Sequence, residues 1–241
     1  MPTTWDFSGK TLLVTGVGRA GQIGHAVAQA LGQAGARIVA VDRNAVGVAE
    51  RVKEFLAMGI QAKPAAGDLT EPDLAAIAVE TAVRNFGGLD GVINVAGGLT
   101  TYGPVEKTGT EGFDREININ LKTAYLMTRA AVGPLARSQG AVVNFASLAY
   151  FRGMNQMAVY SAAKAGVAAM TQSLAVELWD RKIRVNAVAP DMVRTPENVA
   201  SAGPDAHYVE MDQIVNAVLF LASEASSGIT GHILPVTNGA R

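Results

Sequence analysis

The chain has 241 residues, a formal net charge of −1, 49% hydrophobic and 17% charged side chains, and no cysteine. That composition suits a folded globular protein able to bury a full core, without a long polar tract of the kind that stays disordered. It excludes disulfides, thiolate nucleophiles and cysteine-ligated zinc, and it offers no basic field for a nucleic-acid backbone.

Short β-branched runs alternate with longer stretches of helical periodicity. In chain order, a strand at 11–15 leads to a helix near 22–34, a strand at 37–41 to a helix near 45–58, and a strand at 61–66 to a helix near 71–86. A strand at 91–95 precedes one long helix near 111–137, a strand at 141–146 precedes a helix near 157–181, and a strand at 184–189 precedes a helix near 211–223 and a last strand at 233–236. This rhythm predicts a single domain over 1–241, an α/β Rossmann-type doubly wound sheet of seven mainly parallel strands in the order 3-2-1-4-5-6-7, helices on both faces. His25, His207 and His232 share no metal-ligand spacing, so no metal is expected. MPTTWDFSGK lacks the charged start and apolar stretch of a signal peptide, and no apolar run approaches the ~20 residues of a membrane span, so a cytoplasmic protein with no membrane partner is expected.

In a doubly wound sheet, ligands bind beyond the carboxyl ends of the strands, where strand order reverses. The first strand ends in TGVGRAGQIG, whose Gly16, Gly18 and Gly21 fit G-x-G-x-x-G, with Arg19 and Ile23 in the same segment. Glycines there let the backbone approach a pyrophosphate and aim helix N–H groups at it. The second strand ends at Asp42, where a carboxylate accepts ribose hydroxyl bonds and repels a 2′-phosphate, which favours NAD(H). Arg43 and Arg19 are the residues that would instead pair a phosphate, leaving NADP(H) possible. Asp68-Leu69 after the third strand reads either as an adenine contact or as an Asx-type cap. Asn94, Ala96 and Gly97 after the fourth strand permit close approach to a cofactor. Tyr160 and Lys164 in YSAAK lie four apart on a helix, thirteen residues beyond Ser147, so an ammonium can sit beside a phenol and favour its ionisation.

Taken together in this order, these motifs make the chain resemble a classical short-chain dehydrogenase/reductase over essentially its whole length. The resemblance implies a catalytic set of Asn120 (in INLK), Ser147, Tyr160 and Lys164, with Asn118 structural. It also places Pro190 and Thr195 at the nicotinamide end, with Val193 as backbone partner of the carboxamide. The implied reaction is hydride transfer between a secondary alcohol and a ketone, with Tyr160 as general acid and base, and the implied assembly is a homo-oligomer, a tetramer or a dimer. An NADPH-dependent 3-oxoacyl thioester reductase and a non-catalytic dinucleotide sensor are the alternatives.

The pattern departs from the family in four places: a glycine loop two residues longer, Val95 in place of a second asparagine, Asp191 after Pro190, and a short lid over 195–211 whose Ser201-Ala202-Gly203-Pro204 reads as a mobile turn. Leu99, Tyr102, Leu148, Tyr150, Met154 and Met192 are the expected substrate contacts, apolar and aromatic enough for a hydrophobic small molecule. Arg152 is open to a carboxylate or a thioester phosphate. Ala124, Met127, Ala131, Ala165, Ala168 and Ala169 fit either a helix interface between subunits or internal core.

Overall fold

Alternation along each strand divides the protein into two helical layers. In β1 (Thr11–Thr15), Leu12 and Val14 face one layer while Leu13 faces the other, and in β2 (Arg37–Asp42) Ile38 and Ala40 part from Val39 and Val41 in the same way. The first layer contains α1 (Ile23–Gln33), α2 (Ala45–Ala57) and α8 (Met211–Ala222). The second contains α3 (Pro72–Phe86), α5 (Thr123–Ser138) and the end of α6 (Ala158–Glu177). Strands buried on both faces are therefore almost continuously apolar. The computed structural model describes residues 5–239.

The sheet is completed by β3 (Ala62–Ala66), β4 (Gly91–Asn94), β5 (Ala141–Phe145), β6 (Arg184–Pro190) and β7 (Ile233–Val236), in the order β3-β2-β1-β4-β5-β6-β7. Every pairing is parallel, β7 included. β3 (AKPAA) carries Lys63 and Pro64, residues suited to an edge where one side of the ladder is unpaired. Strand order reverses between β1 and β4, so the carboxyl ends of these two strands border the ligand cleft.

The expected helix 111–137 is three pieces: α4 (Thr110–Ile117), a π-helical segment Asn118–Lys122, and α5. The π segment widens one turn without ending the helix, so the apolar periodicity hides it. A helix absent from the sequence reading, α7 (Pro196–Ala202), occupies the start of the expected lid. Thr195 caps it, its Oγ1 accepting from the Asn198 N–H at 3.2 Å, with Pro196 at the first helical position. Tyr208 is buried and its hydroxyl donates to the carbonyls of Gly203 and Asn198, so the turn at 201–204 is tied to the body rather than hanging free. Ala124, Met127, Ala131 and Ala168 are internal core, which corrects the interface reading for those positions; Ala169 is exposed.

Candidate active site

The dinucleotide side is built from backbone. Gly18 N–H donates to Asp42 Oδ2 at 2.8 Å, and Asn44 N–H donates to Asp42 Oδ1 at 2.9 Å. A Cβ on Gly18 would stand 2.8 Å from Asp42 Cγ, so only glycine lets the loop close on that carboxylate. At Gly24, beyond the three expected glycines, α1 lies close against the loop: a Cβ there would stand 2.2 Å from the Gly16 carbonyl oxygen. Ala96 N–H donates to Thr15 Oγ1 at 2.9 Å, joining the ends of β1 and β4. Gly21 N–H donates to His25 Nδ1 at 3.1 Å, and Arg19 pairs with Glu197 of α7 at 2.7 Å, so the lid touches the glycine loop. A crevice with an acid at the end of β2 and a glycine loop opening α1 suits a dinucleotide.

Two of the expected cofactor contacts have inward-turned side chains, and Asp68 forms the Asx turn that was one of its two expected readings. Asn94 is buried, its Nδ2 donating to Asn144 Oδ1 at 2.8 Å and Thr128 Oγ1 at 3.1 Å, so it ties the central strands to α5 instead of facing the cleft. Leu69 packs into the core beside Leu74 and Val41. Asp68 closes an Asx turn, its Oδ1 accepting from Thr70 N–H at 2.8 Å, and that backbone bond holds its carboxyl below the usual range. Arg43 is exposed beside Asp42, and Pro190 ends β6. Val193 is buried, its carbonyl accepting from Thr195 N–H and from Asn198 Nδ2, both at 2.8 Å.

The chemistry-bearing side chains gather where β4, β5 and α6 meet. Ser147 follows β5, and its hydroxyl accepts from Ala149 N–H at 3.2 Å. Tyr160 lies in the first turn of α6, partly exposed. Burial raises its phenol above the ordinary value, the hydrogen bond with Ser147 pulls it back, and the Glu116 carboxylate raises it further. The net direction is upward, against the lowering expected from the neighbouring Lys164. Lys164 is buried, its Nζ donating to the Phe145 carbonyl at 2.8 Å and lying 5.8 Å from the Tyr160 ring centroid. Burial lowers its ammonium to about 8, with Glu116 opposing that shift.

Asn120 projects from the π segment with its side chain fully committed. Nδ2 donates to the carbonyls of Gly98 and Glu116, each at 3.0 Å, and Oδ1 accepts from Gly98 N–H at 2.9 Å. Gly97 must be glycine for this closure, since its φ is +139° and a Cβ would stand 2.5 Å from Asn120 Oδ1. Glu116, which sequence reasoning missed, is fully buried one turn earlier. Its signal was a carboxylate spaced i, i+4 from Asn120 beside Ile117 and Ile119.

Substrate-side residues divide. Leu99 and Tyr102 are exposed on the loop after β4, Tyr102 at 62%, while Met154, Tyr150 and Met192 are half-buried. Leu148 is only 8% exposed and belongs to the interior, a correction to its expected role. Asp191 pairs with Arg152 at 3.0 Å and accepts from Met192 N–H at 2.9 Å, so both charges at this rim are engaged. A shallow hollow of about 350 Å³ beside the substrate-side rim is lined by Tyr150, Phe151, Arg152, Ser161 and Ala165 and by none of Ser147, Tyr160 or Lys164.

Known proteins are similar to this chain in sequence and fold. A family model described as enoyl-(acyl carrier protein) reductase matches residues 16–241. The chain is 34% identical over 241 residues to a subunit of (2S)-[(R)-hydroxy(phenyl)methyl]succinyl-CoA dehydrogenase from Thauera aromatica, covering 95% of this chain and 96% of that one. It is 34% identical over 233 residues to cyclohexanol dehydrogenase from Acinetobacter sp. (strain SE19), covering 93% and 92%. A solved structure of 7α-hydroxysteroid dehydrogenase complexed with NADH and 7-oxo glycochenodeoxycholic acid matches with a TM-score of 0.91 at 26% identity, over 98% of this chain and 96% of that one. The fold and the cleft define a dinucleotide-dependent oxidoreductase, and the chain belongs to the short-chain dehydrogenase/reductase family. Its reaction is of the alcohol/ketone type, with NAD(H) or NADP(H) as the cofactor class. Among the described residues, no helix is long and apolar enough to cross a membrane.

Proposed function

We propose that the protein is an NAD(H)-dependent secondary-alcohol dehydrogenase or ketone reductase in which Tyr160 is the general acid and base. One observation carries this reading: a phenol hydrogen-bonded to Ser147 at the end of β5, with a buried lysine four residues further along α6. The bound dinucleotide supplies or accepts the hydride at the substrate carbon. As a carbonyl carbon is reduced, its oxygen gains negative charge and needs a proton in the same transition state. Tyr160 gives that proton and Ser147 donates a hydrogen bond to the same oxygen. Lys164 stabilises the phenolate left behind. Because the Asn120 side chain is committed to Gly98 and Glu116, its part in the relay to solvent is to hold a water through its main chain. In the oxidative direction, each proton moves the other way.

The preference for NAD(H) is supported by Asp42, a carboxylate set against a 2′-phosphate, and by Glu197, which engages Arg19. Leu99, Tyr102, Tyr150, Met154 and Met192 suit a hydrophobic substrate. A 3-oxoacyl thioester is the second substrate class, favoured by the CoA-linked compound in the Thauera protein's name and by the charged rim at Arg152. We also infer one catalytic unit over residues 1–241 and a cytoplasmic homo-oligomer, dimer or tetramer, on the strength of the cysteine-free composition and of exposed Phe113, Tyr125, Val176 and Trp179 on α4, α5, α6 and the turn after α6.

The test follows nicotinamide absorbance for wild type and Tyr160→Phe, with NADH and NADPH in turn, over a panel of ketones, quinones and 3-oxoacyl thioesters. Turnover by wild type, greater with NADH and abolished in the variant, supports the reading. Dinucleotide binding without turnover on any member favours a sensor.

A further inference from the structure

Glu116 is a fully buried carboxylate on α4. Burying a carboxylate is costly unless its oxygens are hydrogen-bonded. Here the Thr100 N–H donates to both oxygens, at 3.1 and 3.3 Å, the Thr100 hydroxyl donates to Oε2, and Asn120 Nδ2 reaches Oε1 at 3.3 Å. Thr100 belongs to the loop after β4, and Asn120 clamps the same loop at Gly98. The carboxylate therefore joins the substrate-side loop, the π segment and the interior beside α6. Tyr160 and Lys164 of α6 are the titratable groups on which its charge acts. Its neighbours Asp114 and Arg115 on α4 are exposed, and Thr100 and Asn120 are neutral.

We propose that Glu116 is a positioning residue of the reaction: it supplies the fixed negative charge that balances the Lys164 ammonium, while its bonds to Thr100 and Asn120 hold the loop over the cleft. This rests on the reading of Tyr160 and Lys164 as the acid–base pair. A neutral group at 116 removes an opposing charge from a lysine that burial already disfavours as an ammonium, so the Lys164 midpoint falls below about 8. Reduction uses the ammonium, so its rate declines as pH rises through that midpoint. Loss of the charge moves the alkaline limb to lower pH.

The experiment compares wild type, Glu116→Gln, Glu116→Asp and Thr100→Val by the pH profile of kcat/KM for ketone reduction. A second readout is the NMR titration of the Lys164 Cε signal in cofactor-free protein, assigned with Lys164→Met. Glu116→Gln is expected to lower both the limb and the resonance midpoint by about one pH unit, an approximately tenfold loss on the alkaline side with little change on the acid side. Glu116→Asp is expected to restore most of the shift. Thr100→Val, which keeps the charge and loses a hydrogen bond, is expected to reduce turnover at every pH without moving the limb. A uniform loss in Glu116→Gln with limb and midpoint in place overturns the proposal, as does a shifted limb in Thr100→Val. If Tyr160→Phe retains turnover, the underlying acid–base reading fails; if it is inactive while the Glu116→Gln limb stays put, only the role of Glu116 fails.

Discussion

On the β1–β3 side of the cleft, ligand-facing structure is made by main-chain groups: Gly18 N–H on Asp42, Asn44 N–H on the same carboxylate, and glycines where a Cβ would collide. On the β4–β6 side the site is supported from beneath by buried polar side chains: Asn94 to Asn144, Asn144 to Thr171, Asn120 to Gly98 and Glu116, and Lys164 to Phe145. A backbone-built site fails when an atom is added, because the chain must move away from its ligand. A network of buried polar groups fails when a partner is removed, because the remaining donor or acceptor keeps its desolvation cost. Binding should therefore be most fragile in the first region and chemistry in the second, where loss of a neutral partner costs stability while loss of the buried ammonium relieves a desolvation cost that its neighbours do not cover.

The sharpest contrast is expected at Lys164. Lys164→Met should cut turnover by about 10²–10⁴-fold. The same change should stabilise the fold near neutral pH, by about 1–3 kcal/mol after loss of the bond to Phe145. The folded value near 8 lies below the unfolded value of 10.5, so the unfavourable contribution is complete below about 8 and disappears as pH rises towards 10.5. Urea unfolding at several pH values reads this directly, and a variant less stable than wild type at neutral pH breaks the contrast.

Next in size is Asn144→Ala, which leaves Asn94 Nδ2 without its closest acceptor and frees Thr171. A loss of roughly 2–3 kcal/mol in unfolding free energy is expected, with dinucleotide affinity little changed. The smallest effect belongs to the other side. Asp42→Ala should lower the NAD-to-NADP preference by about tenfold in kcat/KM and leave turnover at saturation near wild type. An unchanged preference removes Asp42 from cofactor choice.

Much of this was legible in the sequence, for reasons that differ by element. Strand positions follow from short β-branched runs; the glycine loop, Asp42 and Ser147 each lie at or just past the end of a predicted strand, and the Tyr160/Lys164 spacing falls in the first turns of a predicted helix. The π segment was not legible, because apolar periodicity runs through it and only backbone hydrogen bonding distinguishes it from α-helix. Helix α7 was readable: Thr195-Pro196-Glu197 is a cap, a first-turn proline and an acid in order. Asn94 and Leu69 misled because a residue at a strand's carboxyl end can turn inward as readily as outward, and spacing alone does not say which. Glu116 escaped because it belongs to no motif, and its significance comes from burial.

Dinucleotide affinity and single-turnover hydride transfer, measured together on Gly18→Ala and Tyr160→Phe, test the division of labour most directly. The prediction is a crossed pattern: Gly18→Ala loses about tenfold or more in affinity and transfers hydride near the wild-type rate once saturated, while Tyr160→Phe binds as wild type and fails to turn over. Equal losses of binding and chemistry in both variants would contradict it.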